Sequence, residues 1–154
     1  MKTRKSNCRS YGEGLVVVII VLAVIGGGTW YMFSHRKAMD REARTFAHRM
    51  IDDLAVKHDV TFFANNLSPQ AKRDYPPSQQ QLIIAEFTKM GAPRQPINIE
   101  EQVSFESHYF FDVRGYFTAH LFYPMGAATM QIAVSHPVGK WQLDNLTFIP
   151  ERPR

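Results

Sequence analysis

The chain begins with an apolar stretch and continues with patterns typical of helices and then of strands. Residues 14–33, GLVVVIIVLAVIGGGTWYMF, are 20 residues without a charge. A helix of that length rises about 30 Å, which matches the hydrocarbon thickness of a bilayer. Trp30 and Tyr31 stand where an interfacial aromatic belt belongs. The pattern predicts a transmembrane helix at residues 14–34, with these two residues as its membrane-interface anchors.

The next segment has the i, i+3, i+4, i+7 spacing of an amphipathic helix. Its apolar stripe consists of Ala43, Phe46, Ala47, Met50, Ile51, Leu54 and His58. This helix continues from the apolar segment or follows a break at Gly26–Gly28, and it is expected to end near His58–Asp59. Phe62 and Phe63 predict a short apolar turn.

A second helix is predicted after a proline-rich loop at residues 68–77. Ser78 and Gln81 have the spacing of a capping box, and Gly91 followed by Pro93 predicts the end of the helix.

After Pro96 the sequence alternates between apolar and polar residues, which predicts an antiparallel meander. The four expected strands are 97–113, 116–123, 129–136 and 140–148, with a turn at Arg114-Gly115. The apolar residues of these strands fall on one face, which the helix around Phe46–Leu54 is expected to cover. The predicted fold class is therefore α+β: one transmembrane helix, then helices packed on a four-stranded antiparallel meander, with residues 35–154 forming one domain.

Charge and cysteine content restrict the location and the partners. Residues 1–13 form a basic tail with a net charge of +3, whereas residues 34–154 hold 14 basic and 13 acidic side chains. The folded part is nearly neutral, which disfavours nucleic acid as a partner. The tail contains Cys8, the only cysteine, so the domain has no disulfide and is compatible with an oxidising compartment.

The orientation follows from the basic tail, because a domain of this size is translocated whatever its charge. We expect a bacterial inner-membrane protein with a single pass, a cytoplasmic tail at residues 1–13 and an extracytoplasmic, periplasmic domain at residues 35–154. The alternative, a cleaved signal peptide, requires a small-residue cleavage site, and the residues after Gly26–Gly28 are bulky.

Residues 40–150 resemble the cystatin-like or nuclear-transport-factor-like cone superfamily. The resemblance is carried by the order of helix, loop, helix and bent meander, and by the last strand, Gly139-Lys140-Trp141-Gln142-Leu143-Asp144-Asn145-Leu146, which is similar to a G-x-W-x-[LIV]-x-x-[LF] motif. Membrane-anchored cones serve as assembly components of envelope machines such as type IV secretion. The resemblance implies a binding scaffold rather than an enzyme.

Residues 9–30 are similar in part to the N-terminus of type IV prepilins. The similarity comprises Gly12 after a basic leader and Ala23-Val24-Ile25-Gly26. Prepilins carry a Glu five residues after the cleaved glycine, where this chain has Val17, and Glu13 stands where Phe or Met is usual. Some minor pseudopilins lack that Glu.

The sequence predicts no catalytic residue, no cofactor and no metal site. His48 and Asp52 have a chelating i, i+4 spacing, but they flank the apolar stripe and are interpreted as part of a solvated helix face. His108 and His120 could face each other across neighbouring strands, without a third ligand. The acids of the first strand, Glu100, Glu101, Glu106 and Asp112, have the spacing of exposed residues, and acid–base catalysis by paired carboxylates would need burial.

The aromatic residues give the remaining signal, because the domain holds more of them than one core face requires. Phe110, Tyr116 and Phe122 alternate onto the face opposite the core and, beside His108 and His120, form the candidate partner surface. The other interpretation is that loops of the chain itself cover this face.

The sequence therefore predicts a non-catalytic, membrane-anchored assembly or interaction subunit of an envelope complex, with the bilayer, other subunits and a second copy as expected partners. A minor pilin or pseudopilin of a type IV pilus or type II secretion system is the first alternative. A ligand-binding or enzymatic cone is the second.

Overall fold

The structure, a computed structural model, describes residues 10–105, 113–137 and 139–151. The chain divides into two compact units, Met1–Ala38 and Met39–Arg154. Its elements are α1 (Ser10–Ala55), α2 (Val60–Asn66), α3 (Ala71–Asp74), α4 (Pro77–Met90), β1 (Asn98–Phe105), β2 (Val113–Tyr123), β3 (Gly126–Ser135) and β4 (Gln142–Pro150).

The first unit contains the apolar part of α1. This helix is long and apolar enough to cross a membrane, and none of its apolar window is buried inside the protein. Trp30 is 74% exposed. The Thr29 hydroxyl lies 2.9 Å from the carbonyl oxygen of Ile25 and donates a hydrogen bond within the helix. The helix is unbroken at Gly26–Gly28, so the alternative with a break there is wrong.

The second unit has the predicted α+β fold. The sheet is antiparallel in the order β1-β2-β3-β4, so each strand pairs with its neighbour in sequence. One side of the sheet, here called the inner face, is buried. It packs in a single core with the last turns of α1 and with Phe63 of α2 and Phe87 of α4. The largest inner-face residues that are less than 2% exposed are Val113, Phe117, Leu121, Met130, Val134 and Leu143.

The helices after α1 differ from the prediction. The predicted turn at Phe62 and Phe63 is the helix α2, whose first amides are capped by the Asp59 carboxylate, 2.8 Å from the amide nitrogen of Thr61. The predicted loop at 68–77 contains α3. The capping box is wrong as well: α4 begins at Pro77 and has no side-chain cap. Proline is suited to the first position of a helix because its ring fixes φ and that position needs no amide donor.

The prediction for the first two strands is also wrong at their junction. Arg114 and Gly115 lie inside β2, not in a turn, and Val113, the predicted end of the first strand, is the first residue of β2. Residues 106–112 of the predicted first strand lie outside the described residues. Gly115 faces the core, where an added Cβ would lie 2.6 Å from a ring carbon of Phe117 and 3.1 Å from a methyl of Val134. This glycine therefore makes room for an aromatic ring instead of marking a turn.

Candidate functional site

The candidate site is the side of the sheet opposite the core, here called the outer face. Tyr116 and Phe122 lie on it, 43% and 55% exposed. His120 lies between them, and its Nε2 is 3.5 Å from a carboxylate oxygen of Glu100 on β1. The strand register places Asn98 and Thr129 beside His120. Phe110 and His108, also predicted for this surface, lie outside the described residues.

The two aromatic residues stand at opposite ends of the outer face of β2. Six positions separate Tyr116 from Phe122, which corresponds to about 20 Å along a strand. They are therefore two separate aromatic anchors, with Thr118 and His120 between them.

Each aromatic residue has an alanine beside it on β3. The Cα partner of Tyr116 is Ala133, and the Cα partner of Phe122 is Ala127. A large side chain on β2 thus stands next to a small one on β3 at both ends of the sheet. Sequence analysis did not identify these alanines, because they matter only once the β2–β3 register is known.

The outer face has few charges. Its described positions are Asn98, Glu100, Gln102 and Ser104 of β1; Arg114, Tyr116, Thr118, His120 and Phe122 of β2; Ala127, Thr129, Gln131, Ala133 and Ser135 of β3; and Gln142, Asn145, Thr147 and Ile149 of β4. Among them, Glu100 and Arg114 alone carry a formal charge. The carboxylate of Glu151, which follows β4, also lies at this face and accepts a hydrogen bond from the Thr129 hydroxyl at 3.2 Å. Depletion of charge together with exposed aromatic residues is the compositional mark of an interface core.

Exposed apolar side chains stand at one end of the sheet. Met125, in the two-residue turn between β2 and β3, is 76% exposed, and Ile149 on β4 is 49% exposed. Together with Phe122 they place three apolar side chains at the end of the sheet that holds this turn.

The side of the domain that carries α1 is different, because ion pairs hold the helix to the sheet. Arg44 forms a salt bridge with Glu101, and Nε2 of His48 lies 2.6 Å from the same carboxylate. The Glu101 side chain is only 18% exposed, so the prediction that it is an exposed strand residue is wrong. β1 is an edge strand, and an inward-pointing charge on such a strand opposes pairing with another chain along that edge.

The helix pair His48 and Asp52 does not act together in this structure. His48 contacts Glu101, whereas Asp52 lies 2.9 Å from Nζ of Lys57. Lys57 also bonds to Asp53, and these two carboxylates raise its pKa above the ordinary value. Among the residues that the structure describes, no three His, Cys, Asp or Glu side chains gather as a metal site would require.

A cleft of about 420 Å³ beside α1 has an aromatic lining of Phe46, Phe62 and Trp141. Its volume is in the range of small-ligand sites. The polar groups at the cleft are engaged with the protein: Glu42 accepts a hydrogen bond from Nε1 of Trp141 at 3.4 Å, and the Arg49 guanidinium lies 4.8 Å from the centre of the Phe62 ring. The cleft is therefore bounded by α1, α2 and Trp141, and these contacts account for the polar groups of Glu42 and Arg49.

Comparison of the chain with protein-family models, with curated proteins and with solved structures gave no match in any of the three. The resemblances to the cone superfamily and to prepilins accordingly stay predictions.

Proposed function

We propose that this protein is a single-pass membrane protein whose domain serves as a non-catalytic interaction subunit of a cell-envelope complex. In this proposal residues 1–13 lie in the cytoplasm of a bacterium, residues 14–34 cross the inner membrane and residues 35–154 lie in the periplasm. Trp30 and Tyr31 anchor the helix at the membrane interface.

The observation that carries the proposal is the outer face, which combines the exposed rings of Tyr116 and Phe122 with few charged side chains. A sheet face that only met water would be expected to carry more charge, as α1 does between Arg36 and Lys57. Aromatic side chains in a charge-poor surface are typical of protein interfaces, where they contribute a large share of the binding energy.

Co-purification from detergent tests the partner surface. We expect Tyr116→Ala and Phe122→Ala to reduce the recovery of bound envelope proteins at least tenfold, because truncation of an aromatic anchor typically costs about 2 kcal/mol or more of binding. Leu82→Ala is the matched control, since Leu82 is 66% exposed but lies on α4. Equal recovery from all variants would refute the proposed surface.

The natural single cysteine offers a test of orientation. The experiment uses cells whose outer membrane is permeabilised and whose inner membrane is intact. A membrane-impermeant maleimide should label the Leu82→Cys variant in a Cys8→Ser background. It should leave Cys8 of the wild-type protein unlabelled. The opposite labelling pattern would overturn the proposed orientation.

Intact-mass measurement on the membrane-extracted protein separates the anchor from its alternatives. A chain that keeps residues 14–34 and the basic tail supports the anchor. A mature chain that begins at Glu13 would replace this proposal with the pilin alternative, and one that begins near Thr29 would indicate a signal peptide.

A further inference from the structure

The arrangement of large and small side chains on the outer face is self-complementary. On β2 the outer positions from one end to the other are Tyr116, Thr118, His120 and Phe122. Their register partners on β3 are Ala133, Gln131, Thr129 and Ala127. At each end of the sheet, therefore, an aromatic side chain on β2 has an alanine as its register partner on β3. The small alanine leaves a hollow beside the ring.

Consider a two-fold axis that runs parallel to the strands, in front of the outer face and midway between β2 and β3. Rotation about this axis places β2 of one copy over β3 of the other and keeps each residue at its height along the strands. In a face-to-face pair related by this axis, Tyr116 of each copy lies over Ala133 of the other, and Phe122 lies over Ala127. Sheets packed in the aligned manner keep their strands within about 30° of each other and about 10 Å apart, so an aromatic side chain can reach the facing hollow.

The few charges of the outer face are compatible with the same axis. The row of Glu100 continues through Thr118 and Gln131 to Thr147 on β4, so Glu100 meets Thr147 of the other copy and not its own equivalent. By the same operation Arg114 lies over the row of Ser135, a residue that is itself 7% exposed, and not over its own equivalent. Like charges are thus kept apart, which a closed symmetric interface requires.

The area is also sufficient. Four strands of 8 to 11 residues, spaced about 4.8 Å apart and about 30 Å long on average, present about 550 Å² per copy. Two such faces bury about 1,100 Å², which exceeds the roughly 1,000 Å² expected of a specific interface.

We propose that the outer face is the interface of a homodimer in which two copies of the chain pack face to face about this axis. The inference rests on the proposed function, in which the outer face binds protein, and it names a second copy as the occupant. The direct test of this geometry is to exchange the large residue Tyr116 and the small residue Ala133 within the same chain.

The experiment measures the dimer dissociation constant of the full chain in detergent by sedimentation or light scattering. Tyr116→Ala leaves a gap, and Ala133→Tyr sets one ring against another, so each single substitution should weaken the dimer at least tenfold. The double variant, Tyr116→Ala with Ala133→Tyr, again places one large and one small residue in each contact, but the large residue now lies on β3. Its dissociation constant should return to within about threefold of the wild-type value.

Two controls keep the result specific to the outer face. Leu82→Ala and Ala92→Tyr alter exposed positions outside the sheet and should leave the dissociation constant unchanged. If Ala133→Tyr lowers the melting temperature, the exchange of Phe122 and Ala127 repeats the test at the other end of the sheet.

The outcomes separate this inference from the proposed function. Three results would overturn the homodimer. The chain could be monomeric, the dissociation constant could be unchanged by the outer-face variants, or the double variant could form a weaker dimer than both single variants. If such a chain still loses its envelope partners on Tyr116→Ala, the proposed function stands. A dimer rescued by the double exchange without any co-purifying envelope protein supports the homodimer and contradicts the role in a larger complex.

Discussion

The inner and outer faces of the sheet are made from alternate residues of the same strands, yet they obey different constraints. Phe117 is 1% exposed and its neighbour Tyr116 is 43% exposed. On the inner face each side chain must fit its neighbours within a few tenths of an ångström, because protein interiors are close-packed. On the outer face the same spacing leaves hollows beside aromatic rings, which the fold itself does not need.

The charges of the domain sharpen this contrast. The helix side concentrates ion pairs, such as Arg44 with Glu101 and Lys57 with Asp53, whereas the outer face is nearly neutral. Ion pairs on the helix side hold elements of one chain together. The outer face combines exposed aromatic residues with few charges, and this composition is the basis of the proposal that it binds protein.

The largest expected effect comes from truncation of an inner-face ring. We expect Phe117→Ala to lower the free energy of unfolding by about 3–5 kcal/mol, because it removes a buried ring and leaves a cavity. Tyr116→Ala, one position away, should lower it by less than about 1 kcal/mol, as is usual for a surface position. Urea denaturation of the full chain in detergent, followed by tryptophan fluorescence, measures both, and similar losses would mean that the outer face is part of the core.

Added methyl groups should also affect the inner face more than the outer face, with a smaller change in the free energy of unfolding than truncation of Phe117. Gly115→Ala places a Cβ against the Phe117 ring and Val134, and overpacking of this kind costs about 1–3 kcal/mol. Ala133→Val on the outer face should change the free energy of unfolding by less than about 0.5 kcal/mol. A Gly115→Ala variant as stable as the wild type would show that the ring can move away, and that Gly115 is not required for packing.

The sheet could be predicted from the sequence to the extent that period-2 alternation determines it. Alternation places Val113, Phe117 and Leu121 on one face, because successive strand residues point to opposite sides. The turn at Arg114-Gly115 was wrong because glycine has two uses, positive φ and small size, and the sequence does not tell them apart. α2 was missed because seven residues are too few to show helical periodicity.

The candidate site was only half accessible to sequence reasoning. Alternation placed Tyr116 and Phe122 on the outer face, but their distance from each other and their alanine neighbours depend on register. That register follows from a two-residue turn, since β2 ends at Tyr123 and β3 begins at Gly126. The sequence suggested a longer turn at 124–128, from which the pairing of Ala133 with Tyr116 could not be derived.

The smallest expected effect concerns a hydroxyl group on the inner face. Tyr123 is 4% exposed, and its hydroxyl has no hydrogen-bond partner among the described residues. Burial raises the pKa of this phenol to about 12 from its ordinary value of 10.0. Because the folded state holds the proton more tightly, the associated stability is fully present below about pH 10 and is lost as the pH rises towards 12.

Tyr123→Phe should therefore leave the free energy of unfolding at pH 7 unchanged or raise it by up to about 1 kcal/mol, since a buried donor without a partner is removed. Between pH 10 and 12 the variant should lose less stability than the wild type. Tyr116→Phe on the outer face controls for the other groups that titrate at high pH, and denaturation curves at pH 7, 10 and 11.5 give the comparison. A clear destabilisation by Tyr123→Phe at pH 7 would mean that the hydroxyl is bonded in solution, to water or to a second chain, and the inner face would then be less closed than its packing indicates.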